Sequence, residues 1–259
     1  MLLKNKNAVI YGGAGSIGGA IAHAFAREGA KVFLAGRTFA KLDAMAEDIR
    51  AAGGAAETAQ VDALEEQSVQ KHIVEVAKKA GGIDVSFNAI GMEDVQGTPL
   101  IEMSLDDFSR PITVATRTQF LTAKAAAPHM IKKGSGVIMM ITATPARMAI
   151  PLVGGFSVAC AALEGFARSL AAELGPRGVR VVCLRSAGSP ESIEETLDVH
   201  ATGNQVTRDE FIASLKEMTL LKRLPSLADV GNVAALMASD YAGTMTGTVA
   251  NMTCGQMVD

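Results

Sequence analysis

Tryptophan is absent from this chain of 259 residues, and tyrosine occurs only twice. Side chains on which nucleic-acid bases could stack are therefore scarce. The 24 basic and 27 acidic residues give a net charge of −3, and they include no basic block. The composition therefore predicts no nucleic-acid partner.

Cysteine and histidine are also sparse. The cysteines Cys160, Cys183 and Cys254 are widely spaced and form no CxxC pair, which is typical of reduced thiols in a cytosolic protein. The four histidines are scattered, so no metal site is predicted. No apolar run has the length of a signal peptide or of a membrane span. We therefore expect a cytoplasmic protein without membrane contact.

What the chain does have is an apolar fraction of 49%, enough for the core of a single α/β domain over residues 1–259. Apolar runs alternate with helical patterns, which predicts a doubly wound parallel sheet, a Rossmann fold, in three layers α/β/α. The predicted strands cover residues 8–11, 31–35, 55–61, 85–88, 136–142 and 179–184. The predicted helices cover residues 17–27, 41–52, 67–80, 104–132 and 155–174.

Two places depart from this simple alternation. Residues 187–221 are polar and irregular, with acidic Glu191, Glu194 and Glu195. They are expected to form either a mobile lid or a solvated loop and helix. In the long helix, Pro111 is expected to lie in the first turn or to kink the helix.

A glycine cluster lies between the first predicted strand and the first predicted helix. Glycines permit a tight turn and a close approach to a pyrophosphate, and a helix N-terminus supplies unpaired N–H groups. Two registers fit, GxGxxG from Gly13 and a longer one from Gly12 to Gly18. The order of strand, turn and helix favours dinucleotide binding over a structural turn, with the candidate residues Gly12, Gly13, Gly15, Ser16, Ile17 and Gly18.

Several further motifs occur in the order of a known family. They are Asp62 after the third strand, the turn Asn88-Ala89-Ile90-Gly91, the run Gly178-Val179-Arg180-Val181 and, near the C-terminus, Arg223-Leu224-Pro225, Asp229-Val230, Ala238-Ser239-Asp240 and Thr246-Gly247. With the glycine turn, they make the chain resemble the short-chain dehydrogenase/reductase family over essentially its full length. The resemblance implies a homo-tetramer or homo-dimer, assembled through helices at residues 113–130 and 156–174 and through residues 249–258.

The residues that carry the family's chemistry are not present. The family uses a Tyr-x-x-x-Lys pair, a Ser and a supporting Asn. By the resemblance, Phe156 and Cys160 occupy the Tyr and Lys positions, Ala143 the Ser position and Ala115 the Asn position. Phenylalanine cannot donate a proton, and alanine cannot hydrogen-bond a carbonyl, so ordinary ketone reduction is not expected.

The cofactor positions are better kept. Where NAD-preferring relatives carry an Asp after the second strand, this chain has Gly36, followed by Arg37 and Thr38, which suits the 2′-phosphate of NADP(H). Arg37 could instead be a solvated turn residue. The resemblance also implies that Asp62 and Ala63 bind adenine and that Asn88, Ala89, Ile90 and Gly91 line the ribose and pyrophosphate. The family's Pro-Gly pair after the sixth strand is replaced by Ser186-Ala187-Gly188, so the usual nicotinamide contacts do not carry over.

Other residues are candidates for relocated chemistry. Cys160 is either a small buried residue or a reactive thiol. Arg147 and Thr144 follow the fifth strand, Glu93 and Asp94 follow the fourth, and Arg185 ends the sixth near the expected nicotinamide. The competing interpretation makes each of them a surface or loop residue. His129 is better explained as a helix-end residue, and no pattern singles out His200 in the segment 187–221.

Two functions are compatible with this pattern. One is an NADP(H)-dependent oxidoreductase with a degenerate active site, acting on an unknown small molecule such as an activated C=C or C=N bond. The other is a catalytically inactive pseudoenzyme that binds the dinucleotide or a protein partner.

Overall fold

A seven-stranded parallel sheet forms the centre of the protein, in a computed structural model that describes residues 1–258 apart from the side chain of Glu195. Its strand order is β3-β2-β1-β4-β5-β6-β7, and every neighbouring pair is parallel. The strands are β1 (Asn7–Tyr11), β2 (Lys31–Gly36), β3 (Ala55–Gln60), β4 (Val85–Asn88), β5 (Gly136–Ala143), β6 (Val179–Ser186) and β7 (Thr248–Met252).

Eight helices join and flank these strands in the described part of the chain. They are α1 (Ser16–Arg27), α2 (Phe39–Ala51), α3 (Glu66–Ala80), α4 (Leu105–Lys133), α5 (Gly155–Leu174), α6 (Glu194–Gly203), α7 (Arg208–Glu217) and α8 (Leu227–Ala238). This confirms the doubly wound Rossmann fold and its three layers. Three short 3-10 turns flank α5 and precede α6, and a fourth follows α8.

Alternation along the strands divides the core in two. Ala8 and Ile10 of β1 pack with α1, α2 and α8 on one face, whereas Val9 and Tyr11 pack with α3, α4 and α5 on the other. Successive side chains of a strand point to opposite faces, so a strand buried on both sides is an unbroken apolar run. That is why the inner strands could be recognised in the sequence.

The seventh strand was not predicted. β7 pairs with β6 at one edge of the sheet, and only Met252 among its residues is buried. An edge strand in which four of five residues are at least partly exposed has no continuous apolar run, so its sequence resembles that of a loop.

Pro111 is the seventh residue of α4 and lies beyond the first turn, and the helix continues through it and through Pro128. Ser104 caps the N-terminus of α4, its hydroxyl accepting a hydrogen bond from the Asp107 N–H at 3.1 Å. Gly155 begins α5 close to this region, since a Cβ there would lie 1.9 Å from the Phe108 carbonyl oxygen. The tight packing of α4 on α5 therefore starts near the first turns of both helices.

Residues 187–221 contain α6 and α7, which pack on each other. A capping box at Thr207 and Glu210 begins α7, with Thr207 Oγ1 accepting from the Glu210 N–H at 3.3 Å. The segment is thus two short helices, and its predicted lid role remains a prediction. No helix among residues 1–258 combines the length and apolar character that a membrane span requires.

The sheet has a point where the winding direction changes. From β1 the chain builds outward through β2 and β3, and it then returns to place β4 on the other side of β1. In doubly wound sheets, ligands bind in the crevice beyond the carboxyl ends of the two strands at such a point. The ends of β1 and β4 therefore locate the candidate site.

Candidate functional site

The glycine turn lies at this crevice, between β1 and α1. Gly12 has a φ of +74°, and a Cβ there would lie 2.6 Å from the Ala89 carbonyl oxygen. A Cβ at Gly18 would lie 2.1 Å from the Gly12 carbonyl oxygen. Of the two registers, the one from Gly12 to Gly18 is therefore the pair in closest backbone contact. These glycines bring the turn, the start of α1 and the turn after β4 together.

The N-terminus of α1 has no side-chain cap. Gly15 is the N-cap residue, and no acidic residue lies in the first turn. The first N–H groups of the helix and its positive dipole end are therefore left for an anion. A pyrophosphate fits these features, because its negative charge would meet unpaired backbone N–H groups and the positive end of the helix dipole.

A cavity of about 350 Å³, here called the cofactor-side cavity, extends from this turn to the ends of β2 and β3. Gly36, Arg37 and Thr38 lie at its β2 end, as predicted, and Lys41 in the first turn of α2 lines the same end. No pattern singled out Lys41, although a cation in the first turn of the helix that follows Arg37 and Thr38 was a usable signal. The two cations make this end suited to a phosphate.

Arg37 forms an ion pair with Glu93. Its Nη2 donates to Glu93 Oε1 at 3.1 Å, across the mouth of the cofactor-side cavity, and the Arg37 side chain is 65% exposed. Glu93 holds a φ of +57°, an uncommon conformation for a residue other than glycine. Glu93, a candidate for relocated chemistry, thus lies at the β2 end of the cavity and pairs with Arg37, the residue predicted to bind a phosphate.

The end of β3 supplies the side of the cavity where adenine is predicted to bind. Asp62, Ala63 and Leu64 line it, together with Val114 and Thr118 of α4. Asp62 Oδ1 accepts a hydrogen bond from the Leu64 N–H at 3.0 Å, which fixes the carboxylate in this turn. The second carboxylate oxygen has no hydrogen bond to the described residues, so the side chain retains an acceptor for a ligand amino group.

Asn88 shapes the turn after β4 rather than lining a cavity. Its Nδ2 donates to Thr122 Oγ1 at 3.2 Å, and its Oδ1 accepts from the Ile90 N–H at 3.0 Å. The next three residues, Ala89, Ile90 and Gly91, line both the cofactor-side cavity and a second cavity. The two cavities are therefore parts of one cleft joined at this turn.

The second cavity, here called the α6 cavity, has a volume of about 340 Å³. Two of the four family positions line it, Phe156 and Ala143, with Thr144 beside them. Ser186, Ala187 and Gly188 line it as well, at the end of β6. The Ser186 hydroxyl accepts from the Gly188 N–H at 3.1 Å, and Gly188 has a φ of +85°. A hydrogen-bonded turn thus replaces the family's Pro-Gly pair.

The other two family positions are closed off. Cys160 is fully buried and Ala115 is 5% exposed, and neither lines the α6 cavity. Burial raises the pKa of the Cys160 thiol to about 12. A thiol that stays protonated at neutral pH is a poor nucleophile, so of the two interpretations of Cys160 the structure favours the small buried residue.

The expectations for Arg185 are wrong. It is not a surface or loop residue but 2% exposed, and its Nε and Nη2 donate to the two carboxylate oxygens of Glu164, each at 2.7 Å. Its neighbour Ser186 faces the α6 cavity, so strand alternation turns Arg185 away from it. Arg185 instead lines a third cavity, of about 570 Å³, together with Glu164, Arg168 and the exposed Arg147. Neither Arg185 nor Arg147, the two arginines considered for relocated chemistry, lines the α6 cavity.

The α6 cavity also holds residues that no sequence pattern had singled out. His200 and Gln96 line it with Asp94, and His200 Nε2 lies 2.7 Å from Gln96 Oε1. One signal was available, because the cavity-lining residues Ile193, Thr196, Leu197 and His200 recur at the spacing of one helical face. His129 lies in the last turns of α4 and lines none of the three cavities, and no metal-binding group of three side chains occurs within residues 1–258.

Comparison with known proteins agrees with this architecture. Residues 12–256 match the family model described as "Enoyl-(Acyl carrier protein) reductase". The chain is 32% identical over 247 residues to the uncharacterized oxidoreductase YxbG of Bacillus subtilis, covering 95% of this chain and 88% of that protein. It is 31% identical over 249 residues to a hydroxynaphthalene reductase of Aspergillus fumigatus, and the match covers 95% of this chain and 90% of that protein.

Among solved structures, an NAD⁺-bound xylitol dehydrogenase superposes with a TM-score of 0.90 at 22% identity, covering 98% of this chain and 100% of that one. At this identity the likeness concerns the fold.

Proposed function

The chain belongs to the short-chain dehydrogenase/reductase family, and on that basis we propose that it is an NADP(H)-dependent oxidoreductase acting on an activated C=C or C=N bond. The observation that carries this proposal is the continuous cleft. Arg37 and Lys41 line its ribose end, and Phe156 and Ala143 stand where a proton-donating pair is expected at its other end.

The preference for NADP(H) rests on charge at the end of β2. An Asp there would accept hydrogen bonds from a free ribose but would repel a phosphate, whereas Gly36 leaves the space open beside two cations. The glycine turn would hold the pyrophosphate through backbone N–H groups, and Asp62 with Ala63 would hold adenine. Bound in this cleft, the reduced dinucleotide supplies a hydride.

The substrate class follows from the missing hydroxyls. An ordinary ketone gains a full negative charge on oxygen when hydride arrives, so its reduction needs a donor close to that oxygen. A conjugated C=C bond spreads this charge and an iminium carbon already carries the opposite charge, so both need less help. The name of the matching family model, an enoyl reductase, supports the C=C alternative.

A second candidate is a pseudoenzyme that keeps the dinucleotide site but has lost the chemistry. The observation favouring it is that Phe156, Ala143, Cys160 and Ala115 replace all four family residues with groups that cannot transfer a proton at neutral pH. A coordinated replacement avoids leaving a half-satisfied buried polar network. Such a protein would bind NADPH and act through a partner.

Calorimetric titration with NADPH and NADH tests the cofactor. We expect NADPH to bind about tenfold or more tightly, because its phosphate makes charge-assisted hydrogen bonds. Arg37→Ala should remove most of this difference, whereas Arg50→Ala, an exposed arginine that does not line the cleft, should leave it unchanged. Equal affinities in the wild type would refute the NADP preference.

NADPH consumption with cyclohexenone, pyrroline and simple ketones then separates the two candidates. Turnover of the first two compounds alone supports the oxidoreductase proposed here. Bound NADPH without any turnover supports the pseudoenzyme. Failure to bind NADPH refutes both the NADP(H)-dependent oxidoreductase and the dinucleotide-binding pseudoenzyme.

We also infer a homo-tetramer or homo-dimer. Half-exposed Phe120 on α4 contacts Phe166 of α5 edge-to-face, with ring centroids 6.5 Å apart, and Val158 of α5 is 43% exposed. Apolar side chains exposed on two adjacent helices suit burial against a second copy. Analytical ultracentrifugation at micromolar concentration should give a dimer or tetramer, and a clean monomer would contradict this inference.

A further inference from the structure

Three polar side chains form a connected chain at the wall of the α6 cavity. Gln96 Nε2 donates to Asp94 Oδ2 at 2.6 Å, and Gln96 Oε1 lies 2.7 Å from His200 Nε2. Asp94 and Gln96 belong to the segment after β4, whereas His200 belongs to α6, 104 residues away from Gln96. All three line the cavity that contains Phe156 and Ala143.

The chemistry of this chain determines where the proton of His200 lies. An ionised carboxylate only accepts hydrogen bonds, so the Gln96 amide must turn its NH₂ group toward Asp94. Its carbonyl oxygen then faces His200, and Nε2 must carry a hydrogen to bond with it. Nδ1 is therefore the nitrogen that gains and loses a proton, and it has no hydrogen bond to the described residues. The contact to Gln96 persists in both protonation states, so titration does not detach α6.

The surroundings of His200 favour a donor over a permanent cation. Its ring stacks on Phe211 of α7, with centroids 5.9 Å apart and planes 11° from parallel. Partial burial against this ring lowers the pKa of His200 below its ordinary value. Among the described side chains, the charged groups on the surrounding elements are Glu93 and Asp94 after β4, Glu194 and Asp198 on α6, and Arg208, Asp209, Glu210, Lys216 and Glu217 on α7. Arg208 pairs with Glu194 at 3.2 Å and with Asp198 at 3.8 Å.

Among the described residues that line the α6 cavity, only Asp94 and His200 carry a carboxyl or an imidazole, and imidazole is the side chain whose ordinary pKa lies near neutral pH. Asp94 is already occupied as the acceptor of the hydrogen bond from Gln96. The serine and threonine hydroxyls of the cavity are too weakly acidic to release a proton without the lysine that the family uses. His200 is thus the remaining proton source near the place where the family has its tyrosine.

We propose that His200, oriented by Gln96 and Asp94, is the proton donor that replaces the missing tyrosine. This inference rests on the function proposed above. The reduced dinucleotide, when bound, would supply a hydride that forms a C–H bond at the electrophilic carbon of the substrate and breaks its π bond, and it would be left in its oxidised form. In a conjugated C=C substrate the displaced electron pair forms an enolate, whose α carbon accepts the proton. In an imine the electron pair moves to the nitrogen. The Nδ1–H bond then breaks, the proton goes to that carbon or nitrogen, neutral His200 remains, and water reprotonates it.

The first test needs no turnover. Long-range ¹H–¹⁵N NMR of the full-length protein reports the tautomer and titration of each of its four histidines, and His200→Gln identifies the signal. We expect the Nε2–H tautomer at high pH and protonation at Nδ1 as the pH falls. Gln96→Leu should mix the tautomers. An Nδ1–H tautomer, or no titration between about pH 5 and 9, would overturn the proposal.

The second test uses reduction of cyclohexenone and pyrroline by NADPH. Glutamine can place its NH₂ near the position of Nε2, so His200→Gln keeps the bond to Gln96 but has no proton to give. It should lower the rate by about 10²–10⁴-fold with little change in NADPH affinity. The wild-type rate should fall as pH rises through the pKa of His200, and this dependence should disappear in the variant. His129→Gln, outside the cleft, is the matched control.

The outcomes separate this proposal from the proposed function. If probes are reduced and His200→Gln matches the wild type, the donor role is wrong and the oxidoreductase stands. If NADPH binds but no probe is reduced, the donor role is contradicted and cofactor binding is unaffected. If NADPH does not bind, the proposed function itself fails, whatever the NMR result for His200.

Discussion

The cofactor-side cavity and the α6 cavity meet at Ala89, Ile90 and Gly91 but are built in different ways. The first is made largely of backbone: glycines, an uncapped helix start and the ends of β1 to β3. The second is made of side chains contributed by segments far apart in the chain, including α6 and α7. Backbone sites survive changes of side chain, whereas side-chain sites can be lost or rebuilt by a few substitutions.

Rebuilding three of the four family positions, two in the α6 cavity and the buried Cys160, is expected to have the largest effect on activity. The triple variant Ala143→Ser, Phe156→Tyr, Cys160→Lys restores a carbonyl-orienting hydroxyl, a proton donor and a cation. Reduction of simple ketones by NADPH should rise about 10²–10⁴-fold over the wild type. Because Cys160 is fully buried, the variant's folding must be checked by circular dichroism. A folded variant that binds NADPH but stays inactive would show that more than these residues was lost.

Gly18→Ala is expected to disturb the cofactor-side cavity, which is made largely of backbone. Its Cβ would lie 2.1 Å from the Gly12 carbonyl oxygen, so the turn must open. We expect NADPH affinity to fall by at least about tenfold, in line with overpacking costs of about 1–3 kcal/mol. Gly175→Ala meets no atom within 4 Å at an ordinary φ and serves as the control. Unchanged binding in a folded Gly18→Ala protein would argue against the glycine cradle as the pyrophosphate site.

Glu93→Gln should change the NADPH affinity less than Gly18→Ala does, and in the opposite direction. Glu93 occupies the guanidinium of Arg37 at 3.1 Å and adds a negative charge where a phosphate is expected. Removing that charge should tighten NADPH binding by about threefold to tenfold, more at low salt than at high salt. The control is Glu47→Gln, an exposed carboxylate of α2 that does not line the cleft. Weaker NADPH binding would mean that Glu93 positions Arg37 rather than competing for it.

Tyr11→Phe is expected to have the smallest effect. The Tyr11 hydroxyl is buried without a hydrogen-bond partner among the described residues, and burial raises its pKa. Removing an unsatisfied polar group should raise the free energy of unfolding by up to about 1 kcal/mol, measured by urea denaturation. Since Tyr11 also lines the cofactor-side cavity, a loss of NADPH affinity would instead assign this hydroxyl to the dinucleotide.

Local patterns predicted most of the fold. The inner strands β1, β2, β4, β5 and β6 were recognisable because burial on both faces makes each of them a continuous apolar run. The glycine turn was recognisable because its function depends on backbone geometry, which glycine spacing reveals directly. β7 was missed because an edge strand lacks that run. For residues 187–221 the sequence predicted a lid or a loop and helix, and the two separate helices α6 and α7 were not distinguished because a polar helix that covers a cavity has too narrow an apolar face.

What the sequence determined by itself is the parallel sheet, since strand and helix patterns depend on residues close together in the chain. The dinucleotide site and the replaced catalytic set are predictions from the same local motifs. Only the tertiary structure decided which distant side chains share the α6 cavity. Because side chains alternate along β6, Arg185 points away from that cavity and forms an ion pair with Glu164. The packing of α6 places His200 beside Gln96. Such contacts join residues from different elements, so their geometry depends on how those elements pack, which local sequence patterns do not specify.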